Sequence, residues 1–237
     1  MKNIIINASG HQSLAFYLAM EEYLAGKVAD DVFFVWQSEP TVIIGRNQIL
    51  ENEVNMAYCS SHDVRVVRRK SGGGCVYSDK GNIMISCILR RSDVSVAFDR
   101  YLSMLTRSLC SLGLPAEKSG RNDILIEGRK ISGNAFQQMP DKSIVHGTLL
   151  YSTDMQALVN AIMPPIEKLE RHGVESVRQR VRNIADYVLE TGISHEALKS
   201  VDHLKSYLTE CFCDGSITLN EDDICHIRSL EKEYLIL

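Results

Sequence analysis

Three consecutive glycines, Gly72, Gly73 and Gly74, stand between an arginine pair, Arg68 and Arg69, and the apolar run Cys75-Val76-Tyr77. Glycine has no Cβ, so such a run admits backbone angles closed to other residues and lets a ligand touch the main chain. Successive N–H groups can then converge on an anion. A guanidinium at the end of the preceding strand presents a planar fork matched to phosphate or carboxylate oxygens. The stretch is neither of the familiar phosphate loops, because it lacks both Gly-x-Gly-x-x-Gly and a Gly-Lys-Ser/Thr ending. On spacing alone a structural turn and a ligand loop both stand. The arginines favour the ligand loop.

Three further stretches could carry chemistry. In Gly120-Arg121-Asn122-Asp123, Asp123 offers a hard oxygen to Mg²⁺ or a ribose; an Asn-Asp turn before a strand is the plainer account. In Gly128-Arg129-Lys130-Ile131-Ser132-Gly133, strand alternation puts Lys130 and Ser132 on one face and Ile131 on the other. A partly desolvated lysine there would clamp a carboxylate becoming an acyl phosphate; a solvated edge lysine is the alternative. His146, in His-Gly-Thr-Leu-Leu, is a general base, a pocket wall or a structural histidine. No Ser-His-Asp or Cys-His spacing compels a nucleophile. Taken together, glycines, arginines, one lysine and an Asn-Asp pair compose an anion pocket suited to adenylate chemistry.

These residues need elements to hold them. Leu14, Tyr17, Leu18, Glu21 and Leu24 recur at helical spacing, with Gly26 as the expected stop. Val32–Trp36, Thr41–Gly45 and Val64–Val67 read as strands, the last running into the glycine loop. Cys75–Tyr77 and Ile83–Leu89 follow as strands around an Asp79–Asn82 turn. Residues 98–112 form an amphipathic helix. Residues 124–132 form a hairpin turning at Glu127-Gly128. Residues 145–151 read as a strand, and 155–163 as a helix stopped by Pro164-Pro165. A helix over 195–212 has Ser194 as its expected N-cap, and a last helix starts after Asn220. The polar segment 164–193, with Arg171, Arg178, Arg180 and Arg182, reads as a mobile loop. Hairpins interspersed with helices predict an α+β fold with a mixed, largely antiparallel sheet flanked by helices.

The 237 residues suffice for one large domain. A net charge of −4 gives no overall basic field for nucleic acid, so any anion site must be built locally. The N-terminus is too interrupted by polar residues for a signal peptide, and no run reaches membrane-spanning length. The seven cysteines are scattered and give no paired zinc spacing; free thiols in a reducing cytoplasm are expected.

The stretch RRKSGGGCVYSDKGN at 68–82, followed in order by GRNDILIEGRKISGNA and HGTLL, resembles lipoate–protein ligase. LAFYLAMEEYL, PTVIIGRNQ and ESVRQRV extend the resemblance over residues 10 to about 235. It implies the catalytic core shared by biotin and lipoyl protein ligases, related to class II aminoacyl-tRNA synthetases. It implies that ATP and lipoate give lipoyl-AMP and pyrophosphate, with Mg²⁺ needed, and that the lipoyl group passes to a lysine of a carrier domain. Such carriers are the E2 subunits of 2-oxoacid dehydrogenases and the glycine cleavage H protein. By the same resemblance, Arg69 and the run Gly72-Gly73-Gly74-Cys75-Val76-Tyr77 line the lipoate and nucleotide site. Lys130 contacts the lipoate carboxylate and α-phosphate, Asn122 and Asp123 hold the adenylate or its metal, and His146 and Thr148 border the acyl tunnel.

Two departures stand out. Ser78 replaces a histidine found in many relatives. By the resemblance, residues 1–237 are expected to correspond to the catalytic domain, without the C-terminal accessory domain that relatives carry in the same chain or as a separate protein. Other readings remain. A lipoyl or octanoyl transferase working without ATP would need a catalytic cysteine, and residues 111–121 contain none. A biotin ligase would need Gly-Arg-Gly-Arg, which is missing. A non-catalytic lipoate-binding protein is the third class.

Overall fold

The computed structural model describes residues 1–7, 10–120, 122–162 and 180–236. Eight strands form one sheet: β1 (Lys2–Ile6), β2 (Val32–Trp36), β6 (Asn82–Arg90), β7 (Ala116–Ser119), β8 (Asp123–Ile126), β9 (Arg129–Gln138), β10 (Lys142–Leu150) and β11 (Gly215–Leu219). Their spatial order is β11-β1-β2-β6-β10-β9-β8-β7. Pairing is antiparallel from β2 to β7 and parallel where β1 meets β2 and β11. The expected mixed, largely antiparallel sheet is therefore present. A second sheet has β3 (Thr41–Ile44) between β4 (Arg65–Arg68) and β5 (Val76–Ser78). The glycine loop is the link from β4 to β5.

Every residue of β10 is buried, as are all of β6 but its last. Both faces of these strands are covered, which is why Ile83–Leu89 of β6 is largely apolar rather than alternating. One face carries α1 (Leu14–Lys27) with α8 (Glu221–Glu231). The other carries α4 (Val94–Ser111), α6 (Ile184–Thr191) and α7 (Val201–Phe212), through a core that includes Phe33, Ile85, Tyr101, Leu105 and Ile131. The small sheet has its own core, in which Val42, Ile44 and Tyr77 meet α3 (Met56–Ser61) and α5 (Met155–Ala161). A short α2 (Leu50–Glu53) completes the α-helices among the described residues.

Several local expectations are corrected. Helix α1 runs through Gly26; the chain leaves it at Val28 in extended backbone, so no left-handed glycine is used. Ser194 does not cap the helix near 200. His195 caps a separate 3₁₀ turn (Glu196–Leu198), and Ser200 caps α7 by accepting from the His203 N–H. The polar 164–193 segment is in part helix α6, because Ile184 and Tyr187, one turn apart, are buried against the core. Residues 164–179 of it, with Pro164, Pro165, Arg171 and Arg178, lie outside the described residues. The hairpin turn falls as expected on Glu127 and Gly128, at φ 50° and 74°. Both central residues have positive φ, which matches the twist of the flanking strands.

The hairpin's faces differ from simple alternation. Ile124 pairs with Ser132 and Leu125 with Lys130, leaving Ile131 as an extra residue on β9. Directly paired residues share a face, and neighbours along a strand do not. The bulge therefore sends Lys130 to the face of Asp123 and Gly133, and Ser132 to the opposite one.

The docking of α8 on α1 yields a pH prediction. Asp223 is buried, and burial alone would raise its pKa; hydrogen bonds from Lys27, Tyr23 and the Asn220 N–H outweigh this and lower it to about 2. A carboxylate with a depressed folded pKa stabilises the fold above its ordinary value near 3.8, and the contribution is lost as pH falls through about 2. The urea midpoint of Asp223→Asn is thus expected to lie below that of the unaltered protein at pH 6, with the gap closing towards pH 2. A gap independent of pH would refute the assignment.

Candidate active site

A cleft enclosing about 190 Å³ lies between the two sheets. The small sheet contributes Ile43, Val76 and the glycine loop; the large sheet contributes β6, β9 and β10; Leu18 of α1 supplies part of the apolar wall. Gly73, Gly74, Cys75, Val76, Arg69, Asn122, Lys130, His146 and Thr148 all line it, so most of the residues picked from the sequence converge. Asp123 stands beside Lys130, its Oδ1 2.9 Å from Nζ. Tyr77 turns away into the small-sheet core. Gly72 is not among the lining residues; its carbonyl accepts from Arg69.

The arginine pair shapes the site from behind. Arg69 is 6% exposed and donates to the carbonyls of Ile43, Gly72 and Gly74, at 3.2, 2.8 and 2.7 Å for its Nη contacts. Arg68 Nη1 donates to the carbonyls of Gly45, Arg46 and Gln48. Both forks are engaged with main-chain oxygens instead of pointing at a ligand. Burial lowers the Arg69 pKa to about 10, which leaves it charged at neutral pH. Its positive charge lies behind a loop whose carbonyls it draws inwards.

Glycines act here for different reasons. Gly73 has φ +95°, a backbone conformation that favours glycine. A Cβ on Gly45 would lie 1.9 Å from the Gly73 carbonyl oxygen. A Cβ on Gly133 would lie 2.5 Å from Lys130 Nζ, so this glycine leaves room for the ammonium over β9. A Cβ on Gly74 would meet nothing within 4 Å. The fold does not demand glycine at that position, and the open space faces the cleft.

One wall of the cleft holds a buried polar chain. Trp36 Nε1 donates to Ser86 Oγ (2.9 Å), and Ser86 Oγ donates to Glu21. Glu21 Oε2 is 2.6 Å from His146 Nδ1, and His146 Nε2 is 2.7 Å from Ser71 Oγ. Glu21 is 2% and Ser71 2% exposed. Buried polar groups are costly unless partnered, and each of these is. Ser71, Ser86, Met84, Ala135 and Asn134 were not legible as site residues. Glu21 left one trace: a carboxylate on the apolar stripe of α1, one turn from Leu18 and from Leu24, requires a buried partner.

Among the described residues no group of three His, Cys, Asp or Glu side chains could hold a metal. Asp123 is a lone carboxylate paired with an ammonium. Mg²⁺ is commonly held by one or two carboxylates with water and substrate phosphates, so Asp123 fits as one ligand where phosphates supply the others. Among the same residues no helix is long and apolar enough to cross a membrane.

The fold and cleft define an α+β domain with a cleft at the junction of two sheets, one wall apolar and the other carrying an ammonium. Residues 13–204 match the lipoyl protein ligase A/B catalytic domain, and the chain belongs to that family. It is 39% identical over 174 residues to lipoate–protein ligase 1 of Staphylococcus aureus, covering 72% of this chain and 53% of that protein. It is 35% identical over 224 residues to the lipoate–protein ligase LplJ of Bacillus subtilis, covering 91% and 66%. A bipartite lipoate protein ligase of Thermoplasma acidophilum, solved in work on it and its E2 lipoyl domain, superposes with a TM-score of 0.83 at 25% identity, covering 98% of this chain and 92% of that one. The chain thus spans between about half and two thirds of these two curated relatives.

Proposed function

We propose that this chain is a lipoate–protein ligase catalytic domain that activates lipoate with ATP and passes the lipoyl group to a lysine of a carrier domain. Joining a carboxylic acid to an amine in water needs an activated acyl group. In the first step a carboxylate oxygen attacks the α-phosphorus of ATP; the bond to the β-phosphate oxygen breaks, giving lipoyl-AMP and pyrophosphate. In the second the carrier amine attacks the acyl carbon, AMP leaves, and the amine gives up a proton. The observation that carries the reading is the placement of the Lys130 ammonium and the Gly73-Gly74 backbone on one apolar-walled cleft, from opposite sheets. Positive groups fixed where negative charge develops lower the barrier. Lys130 is proposed to hold the lipoate carboxylate and α-phosphate, with Asn122 and Asp123 at the adenylate and His146 and Thr148 along the acyl chain. Mg²⁺, held by Asp123 and the phosphates, would neutralise charge on the leaving pyrophosphate.

The carriers proposed are lipoyl domains of 2-oxoacid dehydrogenase E2 subunits or the glycine cleavage H protein, with a separate accessory chain as the proposed companion. The proposed compartment is the cytoplasm. A transferase using a cysteine is disfavoured. Cys75 lines the cleft, but burial, reinforced by the charge of Glu53, pushes its thiol up to about 12, so thiolate is scarce. The test is incubation of pure protein with labelled lipoate and a lipoyl domain. Label transfer that needs ATP and releases pyrophosphate is expected. Transfer from an acylated carrier without ATP would replace this reading by the transferase one, and lipoate binding without turnover by the binding-protein one.

A further inference from the structure

The glycine loop belongs to the small sheet, and Lys130 belongs to the large one. For both to act on one anion, the spacing between the sheets must be held where the loop begins. Arg69 sets the loop's internal shape through the carbonyls of Gly72 and Gly74, yet it lies on the same side of the cleft as the loop itself. At the start of the glycine loop, Ser71 reaches the large sheet: its Oγ is 2.7 Å from His146 Nε2 in β10. His146 is in turn fixed through Nδ1 by Glu21 of α1, which Ser86 of β6 also holds. On the other side of the loop's first residue, the Ser71 carbonyl accepts from the Arg46 N–H at 3.0 Å. Ser71 is thus held at both its side chain and its main chain, and it is buried although the next three residues are not.

We infer that Ser71 is a positioning residue: its hydroxyl, held by the Glu21-oriented imidazole of His146, anchors the glycine loop at the distance from Lys130 that adenylation requires. The inference rests on the ligase reading for its kinetic consequence, but the anchor itself can be observed without turnover. A glycine-rich loop has little stiffness of its own, and a misplacement near 1 Å can cost about a hundredfold in rate. Ser71 does not line the cleft.

The test compares unaltered protein with Ser71→Ala and Ser71→Thr. Without ligand, amide hydrogen exchange in a peptide spanning 71–77 is expected to quicken at least about tenfold in Ser71→Ala, with β6 and β10 peptides unchanged. With lipoate and ATP, kcat for pyrophosphate release is expected to fall about ten- to a hundredfold, while lipoate affinity, read from the single tryptophan Trp36, changes less than about threefold. Ser71→Thr, which keeps the hydroxyl, is expected to recover most of both. If Ser71→Ala does not fold, Ser71→Cys, a poorer donor of similar size, takes its place. Exchange unchanged in the 71–77 peptide, or equal losses in lipoate affinity and kcat with no recovery by threonine, overturns the inference. If the unaltered protein releases no pyrophosphate, the ligase reading falls, and the exchange comparison alone judges the anchor.

Discussion

Replacing Lys130 by alanine is expected to reduce lipoate-dependent pyrophosphate release by at least about a hundred- to a thousandfold, the usual cost of removing a fixed donor from a developing charge. The physical basis is the fixed position of this ammonium. Its Nζ lies 2.9 Å from Asp123 Oδ1, over the space that Gly133 leaves open, and its main chain is held by hydrogen bonds with Arg180 and Arg182. On the small-sheet side of the cleft the Arg68 and Arg69 forks are committed to carbonyl oxygens, so neither can substitute for it. Arginine at 130 should not restore activity, because its larger planar fork must fit beside Asp123 in the space sized for an ammonium. The side chain is about one third exposed and contributes little to the core, so thermal stability should stay within a few degrees of the parent. Stopped pyrophosphate release with an intact melting curve supports the assignment. Activity within tenfold of the parent would remove Lys130 from the chemistry and with it the central support for adenylation.

The second large effect separates two glycines of the same cleft. Gly45→Ala places a methyl 1.9 Å from the Gly73 carbonyl oxygen, a main-chain atom that cannot swing aside. Either β3 or the glycine loop must move, and overpacking of this kind costs about 1–3 kcal/mol. Gly45→Ala is therefore expected to lower the urea midpoint clearly and to abolish ligand binding as the loop shifts. Gly74→Ala meets no atom within 4 Å and needs no positive φ, so its stability should be unchanged or slightly raised. Its binding of ATP and lipoate together should nonetheless weaken at least about tenfold, since the new methyl stands where the backbone must approach the anion. Urea titration and calorimetry on the two variants decide the matter. Gly74→Ala with full affinity would mean that this part of the loop faces water and not the ligand.

Residue type and local order were enough to pick out segments that line this cleft. The glycine triplet, the Lys130 hairpin and the His146 strand each announce themselves by composition, because a bare backbone, a lysine among small residues and a histidine in an apolar strand are visible one segment at a time. The Glu127-Gly128 turn was legible for the same reason. Which partner each group would face was not. Arg69 has the chemistry of an anion ligand, but tertiary packing buries it and directs it to the carbonyls of its own loop. Strand alternation placed Ser132 beside Lys130, and a single extra residue, Ile131, sent it to the other face. Glu21, Ser71 and Ser86 come from three distant segments, and a hydrogen-bonded chain among them exists only after α1, the glycine loop and β6 have packed round β10. Local sequence sets what each side chain can donate or accept; long-range packing decides what it meets, because burial removes water as the alternative partner.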